Sequence, residues 1–450
     1  MIRQLHDAPF VRAKLGVLLE LTRDVREWLA TRQHPIFPDL DEGEPSVTTE
    51  DTEVAARDFD ELRRNETVWQ TDGEFHPHQA QAAMLIGALD EMYHRLNFVV
   101  ANPDPDDPFD EALVEDEEPL RFESRGELRV GAASTVYYLY ARARRLRVDS
   151  EEFRVQDGAA VVMADDARMV LFGDWGSGIR NARILAQQIR ESDVKSAIND
   201  QQELHVVHLG DAYYAGLPKE YAKRFTPYWP VNAKTKGTKV FSWTIPGNHD
   251  MYAGNRGFYQ MLDTDRRFHA QKKCSYFLLE NKHWQVFGLD TASNPRDWKG
   301  SIGVLNQTQL DWIKERHNGS KRCILLTHHQ PFCAYSGVGD ELATQIDWLL
   351  REKSVAAWFW GHDHHCAVYQ PHLRILRPVL LGHGGFPDRP KTPRAGSPSI
   401  KFAWEATHKH RFTRRTYLKF GYAALQFQDE NVSARLIDLA GDKHEEFTIA

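Results

Sequence analysis

Cysteine is scarce in this 450-residue chain: Cys274, Cys323, Cys333 and Cys366 stand at irregular spacings, which excludes a disulfide-built scaffold and a zinc knuckle. Long apolar runs are missing too. No segment reaches the roughly 18 uninterrupted apolar residues of a membrane span. Asp7, Arg12, Lys14 and Asp24 interrupt any apolar core near the start, so no signal peptide is read and the expected location is the cytosol. Positive charge is not in excess either. The net charge of -8 gives no support to a nucleic-acid or anionic-membrane surface as the main purpose, and a protein partner of the N-terminal region is not identified by the sequence. What remains, 42% apolar and 27% charged residues, is the composition of a soluble globular protein, and the length sets two domains as the starting expectation.

The first part, 1–157, carries no chemical motif. Val11, Leu15, Leu18, Leu19, Leu21, Val25, Trp28 and Leu29 recur at helical spacing within residues 9–32, and 77–98 and 132–146 also read as helices. Residues 36–62 and 102–119 are rich in Pro, Asp and Glu and read as solvated linkers. The expectation is a mainly helical accessory region followed by a second domain over 158–450.

From Gly158 onward short apolar runs alternate with helix-like stretches, the pattern of an α/β domain. Val161–Met163 and Met169–Phe172 suggest a hairpin, whose second strand delivers Gly173-Asp174-Trp175-Gly176. Leu204–Leu209 delivers Gly210-Asp211-Ala212-Tyr213-Tyr214. Val240–Ile245 delivers Gly247-Asn248-His249-Asp250. A hairpin is read around Asn281 and Lys282, and a helix over 307–317. Cys323–Thr327 delivers His328-His329, a helix is read over Leu342–Arg351, and Val355–Trp360 delivers Gly361-His362-Asp363-His364. Tyr422–Phe427 and Val432–Ile437 read as a closing hairpin.

Each of the five strands thus ends beside a residue that can ligate a metal. A carboxylate can bridge two cations, an amide oxygen binds without adding charge, and neutral imidazole accepts borderline metals. Singly, each residue has a plainer reading. Asp174 or Asp211 can be a helix N-cap, and His328 a buried hydrogen-bonded histidine. Together they predict a site for two metals. His383, in the Gly-rich turn 382–385, is a candidate contact for substrate phosphate.

The ordered blocks GDWG, GDAYY, GNHD, THH and GHDH resemble the signature of the calcineurin-like metallophosphoesterases over about 165–450. The resemblance implies a sandwich of two mixed β-sheets flanked by helices, with a dinuclear metal centre at the strand ends. Members commonly have D-x-H in the first block, whereas this chain has Asp174-Trp175-Gly176. Tyr214, three residues after Asp211, resembles instead the purple acid phosphatase branch, in which a tyrosinate binds ferric iron. The implied ligands are Asp174, Asp211, Tyr214 and His364 for one metal and Asp211, Asn248, His328 and His362 for the other, with Tyr213 and His329 as alternatives to Tyr214 and His328. The implied metals are Fe(III) with Fe(II), Zn or Mn; with Tyr214 a packed aromatic, Zn, Mn or ferrous iron is expected. By resemblance His249 protonates the leaving group, and Asp250 is expected to orient it. The implied activity is hydrolysis of a phosphorylated small molecule or nucleotide. The alternatives are a nuclease, a cyclic-nucleotide phosphodiesterase or a metal-stabilised interaction module.

Overall fold

The computed structural model describes residues 152–156, 160–178, 180–213, 216, 218–232, 237–251, 254–294, 302–336, 339–352, 354–409 and 416–449. All of these belong to the unit Ser150–Ala450. The helices and linkers read within 1–151, like Tyr214, lie outside the described residues. Among the described residues, no helix is long and apolar enough to cross a membrane.

Two mixed sheets face each other. In the first, β2 (Arg168–Phe172), β3 (Leu204–His208) and β4 (Val240–Thr244) run parallel. The antiparallel strands β14 (Gly421–Gln428), β15 (Asn431–Asp438) and β16 (Lys443–Thr448) extend this sheet beyond β2. In the second, β6 (Trp284–Gly288), β7 (Arg322–Thr327), β8 (Val355–Trp360) and β10 (Arg377–Leu381) form the parallel centre. That centre is flanked on one side by β5 (Phe277–Glu280) and β1 (Val161–Val162), and on the other by β9 (Cys366–Tyr369) and β11 (Ile400–Ala403). This is the expected sandwich of two mixed sheets.

Alternation along the strands builds the core. Ile324 and Leu326 of β7 and Phe359 of β8 point between the sheets, where they meet Leu171, Val207, Trp243 and Leu425 from the opposite sheet. Leu325, Trp358 and Trp360 point outward and are covered by Trp312, Ile313, Leu349 and Leu350. Both faces of the central strands are therefore buried, which is why they read in the sequence as continuous apolar runs. A side chain such as Phe359, fully buried here, contributes on the order of 1.5–3 kcal/mol through removal of apolar surface from water.

The helices follow from their own punctuation. Over Gln307–Arg316, the Asn306 side chain accepts the Gln309 N–H at 2.8 Å, and Lys314 and Arg316 stand in the last turn, where cations suit the helix dipole. The helix expected over Leu342–Arg351 is divided into Glu341–Gln345 and Asp347–Arg351, with Ile346 non-helical between them.

One strand pairing departs from expectation. Val161–Met163 and Met169–Phe172 do not form a hairpin, because β1 pairs in parallel with β5 while β2 lies in the other sheet. The turn at Ala164–Ala167, closed by the Ala167 N–H to Ala164 C=O bond of 3.2 Å, instead carries the chain from one sheet to the other. Val162, 81% exposed, is on the edge strand this crossing leaves behind.

Candidate metal centre

Register brings the candidate residues to one rim. Phe172, His208 and Thr244 are aligned across β2, β3 and β4, and the chain reaches Asp174, Asp211 and Asn248 just beyond them. In the facing sheet Thr327 is aligned with Trp360, so His328 and His362 emerge side by side. The carboxyl ends of parallel strands in both sheets thus open on the same edge, where loops are free to diverge from the sheet and carry function.

The backbone at this rim is unusual. Asp174, Asp211 and His362 have φ of 57°, 74° and 68°, a left-handed conformation that costs a non-glycine residue energy and recurs at functional sites. Gly247 is required by close approach: a Cβ there would lie 2.1 Å from Asp211 Oδ1. Gly210, with φ of 99°, similarly leaves room for the His328 ring, whose Nδ1 would be 2.7 Å from a Cβ.

His328 supplies the most informative contact. Its Nδ1 is 2.9 Å from the carbonyl oxygen of Leu209, which can only accept, so Nδ1 carries a proton, the tautomer that leaves Nε2 as the nitrogen facing the site for a ligand. That Nε2 lies 2.9 Å from Asn248 Oδ1, 3.4 Å from Asp211 Oδ1 and 3.3 Å from His362 Nδ1. His362 Nδ1 is itself 2.9 Å from Asn248 Oδ1. With the Asn248 oxygen turned inward and the His362 proton on Nε2, electron pairs of four residues converge on one point. A cation answers that arrangement, so the donor set fits a metal. The ligand atoms of Asp174, Asp211 and His328 lie within 4.8 Å of one another, as do those of His328, His329 and His362.

Asp174 lies on the other flank. Its Oδ1 accepts the Tyr213 hydroxyl at 2.8 Å and stands 3.5 Å from His364 Nε2, while its Oδ2 accepts the His362 N–H at 2.9 Å. The Tyr213 hydroxyl is also 3.1 Å from His364 Nε2. Of the two tyrosines weighed from the sequence, Tyr213 is therefore the one described, and it stands between Asp174 and His364. His329 is buried, with Nδ1 2.8 Å from the Thr291 hydroxyl.

The electrostatics match this division. Burial, reinforced by His329 and His328, holds His362 well below the usual imidazole range, in the neutral form a ligand needs. Burial alone would also depress His364, but the hydrogen bond and charge of Asp174 outweigh it and raise that ring. Asp211 is held low despite burial, because His328, His249 and His362 surround it.

Asp250 requires a correction. Its carboxylate does not turn to the His249 ring. Oδ2 accepts the N–H groups of Gly247 at 2.7 Å and Asp211 at 3.1 Å, and Oδ1 accepts the Ala212 N–H at 3.1 Å and the Tyr221 hydroxyl at 2.6 Å. Asp250 therefore clamps the loops that follow β3 and β4. Burial and the charge of Asp211 push its carboxyl up. His249 is held from its backbone, whose N–H donates to Asp211 Oδ1 at 2.9 Å; its ring is 20% exposed, with Nε2 3.9 Å from Asp211 Oδ2.

His383 is likewise removed from a role at substrate, since it is 1% exposed and packed edge-on to Trp404 at 4.4 Å between ring centroids. Sequence reasoning missed Thr291, Tyr221 and Phe386. Only Phe386 left a signal, as the aromatic residue that follows the Gly-rich turn ending β10.

Residues 167–366 match the model of the calcineurin-like phosphoesterase family. No curated protein sequence matches the chain. Among solved structures, GAP50, the anchor in the inner membrane complex of Plasmodium, is similar at 13% identity and a TM-score of 0.46, over 63% of this chain and 88% of that one. PhoD is similar at 10% identity and 0.42, over 64% and 73%. The sulfate thiohydrolase SoxB of Thermus thermophilus is similar at 10% identity and 0.33, over 64% and 59%.

Proposed function

We propose that residues 158–450, with the calcineurin-like phosphoesterase match at their centre, act as a metal-dependent hydrolase of phosphate esters, and that 1–157 is an accessory region. The observation that carries this reading is the meeting of Asn248 Oδ1 with His328 Nε2 and His362 Nδ1, each at 2.9 Å, behind a His328 ring whose proton is committed to Leu209. Asp211, Asn248, His328 and His362 would hold one cation, and Asp174, Asp211 and His364, with a tyrosine, a second. When bound, two such cations polarise a phosphoryl oxygen and lower the pKa of water.

The remaining steps belong to the chain. The carboxylates are buried, whereas His249 and His364 are each 20% exposed, so imidazoles are what an entering ester meets. His249 gives its ring proton to the leaving oxygen as the P–O bond breaks, and its backbone bond to Asp211 keeps it at the phosphoryl group. Asp250 and Gly247 fix the loop that places it.

Elemental analysis combined with turnover of an aryl monoester, a diester and single-stranded nucleic acid tests the proposal. Two metals per chain with monoester or diester turnover support it, and preferred cleavage of nucleic acid redirects it to a nuclease. Filled sites without turnover on any substrate overturn it in favour of a metal-stabilised interaction module. A visible absorption band marks tyrosinate on ferric iron, and its absence assigns Zn, Mn or ferrous iron.

A further inference from the structure

The chain that follows β3 passes directly against the turn Asn248–Met251. Gly216 marks the crossing: its φ is 66°, and a Cβ there would lie 2.5 Å from Asp250 Cα, so only glycine fits. Further on, the helical turn Pro218–Glu220 runs into Tyr221–Phe225, which is π-helical and closed by the Thr226 N–H to Tyr221 C=O bond of 2.9 Å. The Thr226 hydroxyl donates to the same oxygen at 3.1 Å. Single π turns are rare and recur at functional sites, so what this one positions matters.

It positions Tyr221. The ring is 3% exposed, with Phe225 at 5.1 Å and Phe258 at 6.5 Å between centroids, and its hydroxyl donates to Asp250 Oδ1 at 2.6 Å. Packing does not call for that oxygen, because phenylalanine fills the same aromatic space and a buried hydroxyl costs free energy unless it is paired. Burial and the Asp250 charge raise the phenol well above its ordinary range, so it stays protonated as the donor. The other bonds of Asp250 are to the backbone N–H groups of Asp211, Ala212 and Gly247, which leaves Tyr221 as its one side-chain donor among the described residues. Asp211 is a proposed ligand, and Asn248 stands two residues before Asp250 in the same turn. One hydroxyl on the segment between β3 and β4 therefore reaches two ligands through one carboxylate.

We propose that Tyr221 is a positioning residue for the metal ligands: through Asp250 it sets the affinity of the centre for a divalent cation, and by the reciprocity of linkage a bound cation protects the segment 218–226. This rests on the Asp211 and Asn248 donor set of the hydrolase reading above. Groups that hold a ligand without touching the metal commonly change affinity by about 10–100-fold.

Full-length, metal-free protein would be titrated with Mn(II) and with Zn(II), each alone, and followed by calorimetry. Tyr221→Phe, which removes only the hydroxyl, is expected to weaken binding about tenfold. Turnover at limiting metal should fall with it and return when metal is in excess, since nothing at the phosphoryl group has changed. Phe225→Leu serves as the comparison: it loosens the same π turn without touching Asp250 and is expected to keep wild-type affinity. In hydrogen exchange, metal should slow the amides of 218–226 in the wild type and act less on them in Tyr221→Phe. Unchanged affinity in Tyr221→Phe, or an equal loss in Phe225→Leu, reduces the bond to ordinary packing and overturns the proposal. Wild type that binds neither metal removes the centre and the proposal together. Tyr221-dependent metal binding without turnover on any phosphate ester keeps the proposal and removes the hydrolase.

Discussion

The two sheets contribute opposite chemistry to the rim. The one containing β2, β3 and β4 supplies oxygen through Asp174, Asp211 and Asn248, while the one containing β7 and β8 supplies nitrogen through His328, His362 and His364. The oxygen side is shaped by its backbone, with two left-handed aspartates and the Asp250 clamp. The nitrogen side is oriented by contacts that cross between the sheets: the His328 ring bonds the Leu209 carbonyl, and the His362 N–H bonds Asp174. Neither sheet holds a complete donor set, so the centre exists only where the sandwich closes, and metal binding should couple to the packing of the two sheets.

The largest test of this division is Asp211→Asn. Asp211 belongs to the oxygen side yet is shared by both proposed cation positions, so its loss is expected to reduce metal content and to lower turnover on the order of 10³-fold. His364→Ala, on the nitrogen side, removes a donor from one position and should leave the other metal in place. Elemental analysis reads the difference, and equal metal loss in the two variants would break the comparison.

His249→Ala comes next. His249 touches the oxygen side through its backbone but is not in either proposed ligand set, so metal content should be retained while kcat falls about 10²-fold. The loss should be smallest for esters with good leaving groups, which need no proton. Metal loss from this variant would move His249 into the ligand set.

Much of this site was legible in the sequence, for a physical reason. Parallel strands buried on both faces read as unbroken apolar runs, so Cys323–Thr327 and Val355–Trp360 announce where they stop and which residues follow. The left-handed turns are a different matter. The loop after Asp211 is pinned by the Gly176 N–H to Asp211 C=O bond of 3.2 Å and the Tyr213 N–H to Gly176 C=O bond of 3.0 Å, which turn Tyr213 to Asp174, a placement that counting residues does not reveal; Tyr214 lies outside the described residues. Asp250 was misread for a related reason. Adjacency to His249 suggested a side-chain contact, whereas in the helical turn Asn248–Met251 the carboxylate folds back on the N–H groups behind it. The crossing from β1 to β2 was hidden because an apolar pair separated by a turn looks the same whether the strands pair or part.

That reading of Asp250 gives a third prediction. Asp250→Asn exchanges an acceptor for an amide that must point an N–H at existing donors, so two or more of its four bonds are lost. The expected cost is about 2–3 kcal/mol of stability by chemical denaturation, with activity following the folded fraction. Full stability with a selective loss of kcat would restore Asp250 to the role of orienting His249.

The smallest effect comes from His383, at the same rim but outside the donor set. Burial depresses its imidazole to about 3, with His365 and His444 adding to the effect and Asp438 opposing it. The folded protein therefore keeps this ring neutral while the unfolded chain protonates it below its ordinary value of about 6.5. The sign follows: its contribution is fully present above pH 6.5 and declines by up to about 1.4 kcal/mol per pH unit as pH falls towards 3. Asp250, pushed up to about 7, works in the opposite direction over pH 4–7, because the folded protein then holds the proton more tightly. The effect is accordingly read as a difference. Metal-free wild type should lose stability between pH 6.5 and 5 faster than His383→Phe, by about 1 kcal/mol per unit. Parallel pH profiles would mean that water reaches His383, and the rim would then be open behind the nitrogen ligands as well as in front of them.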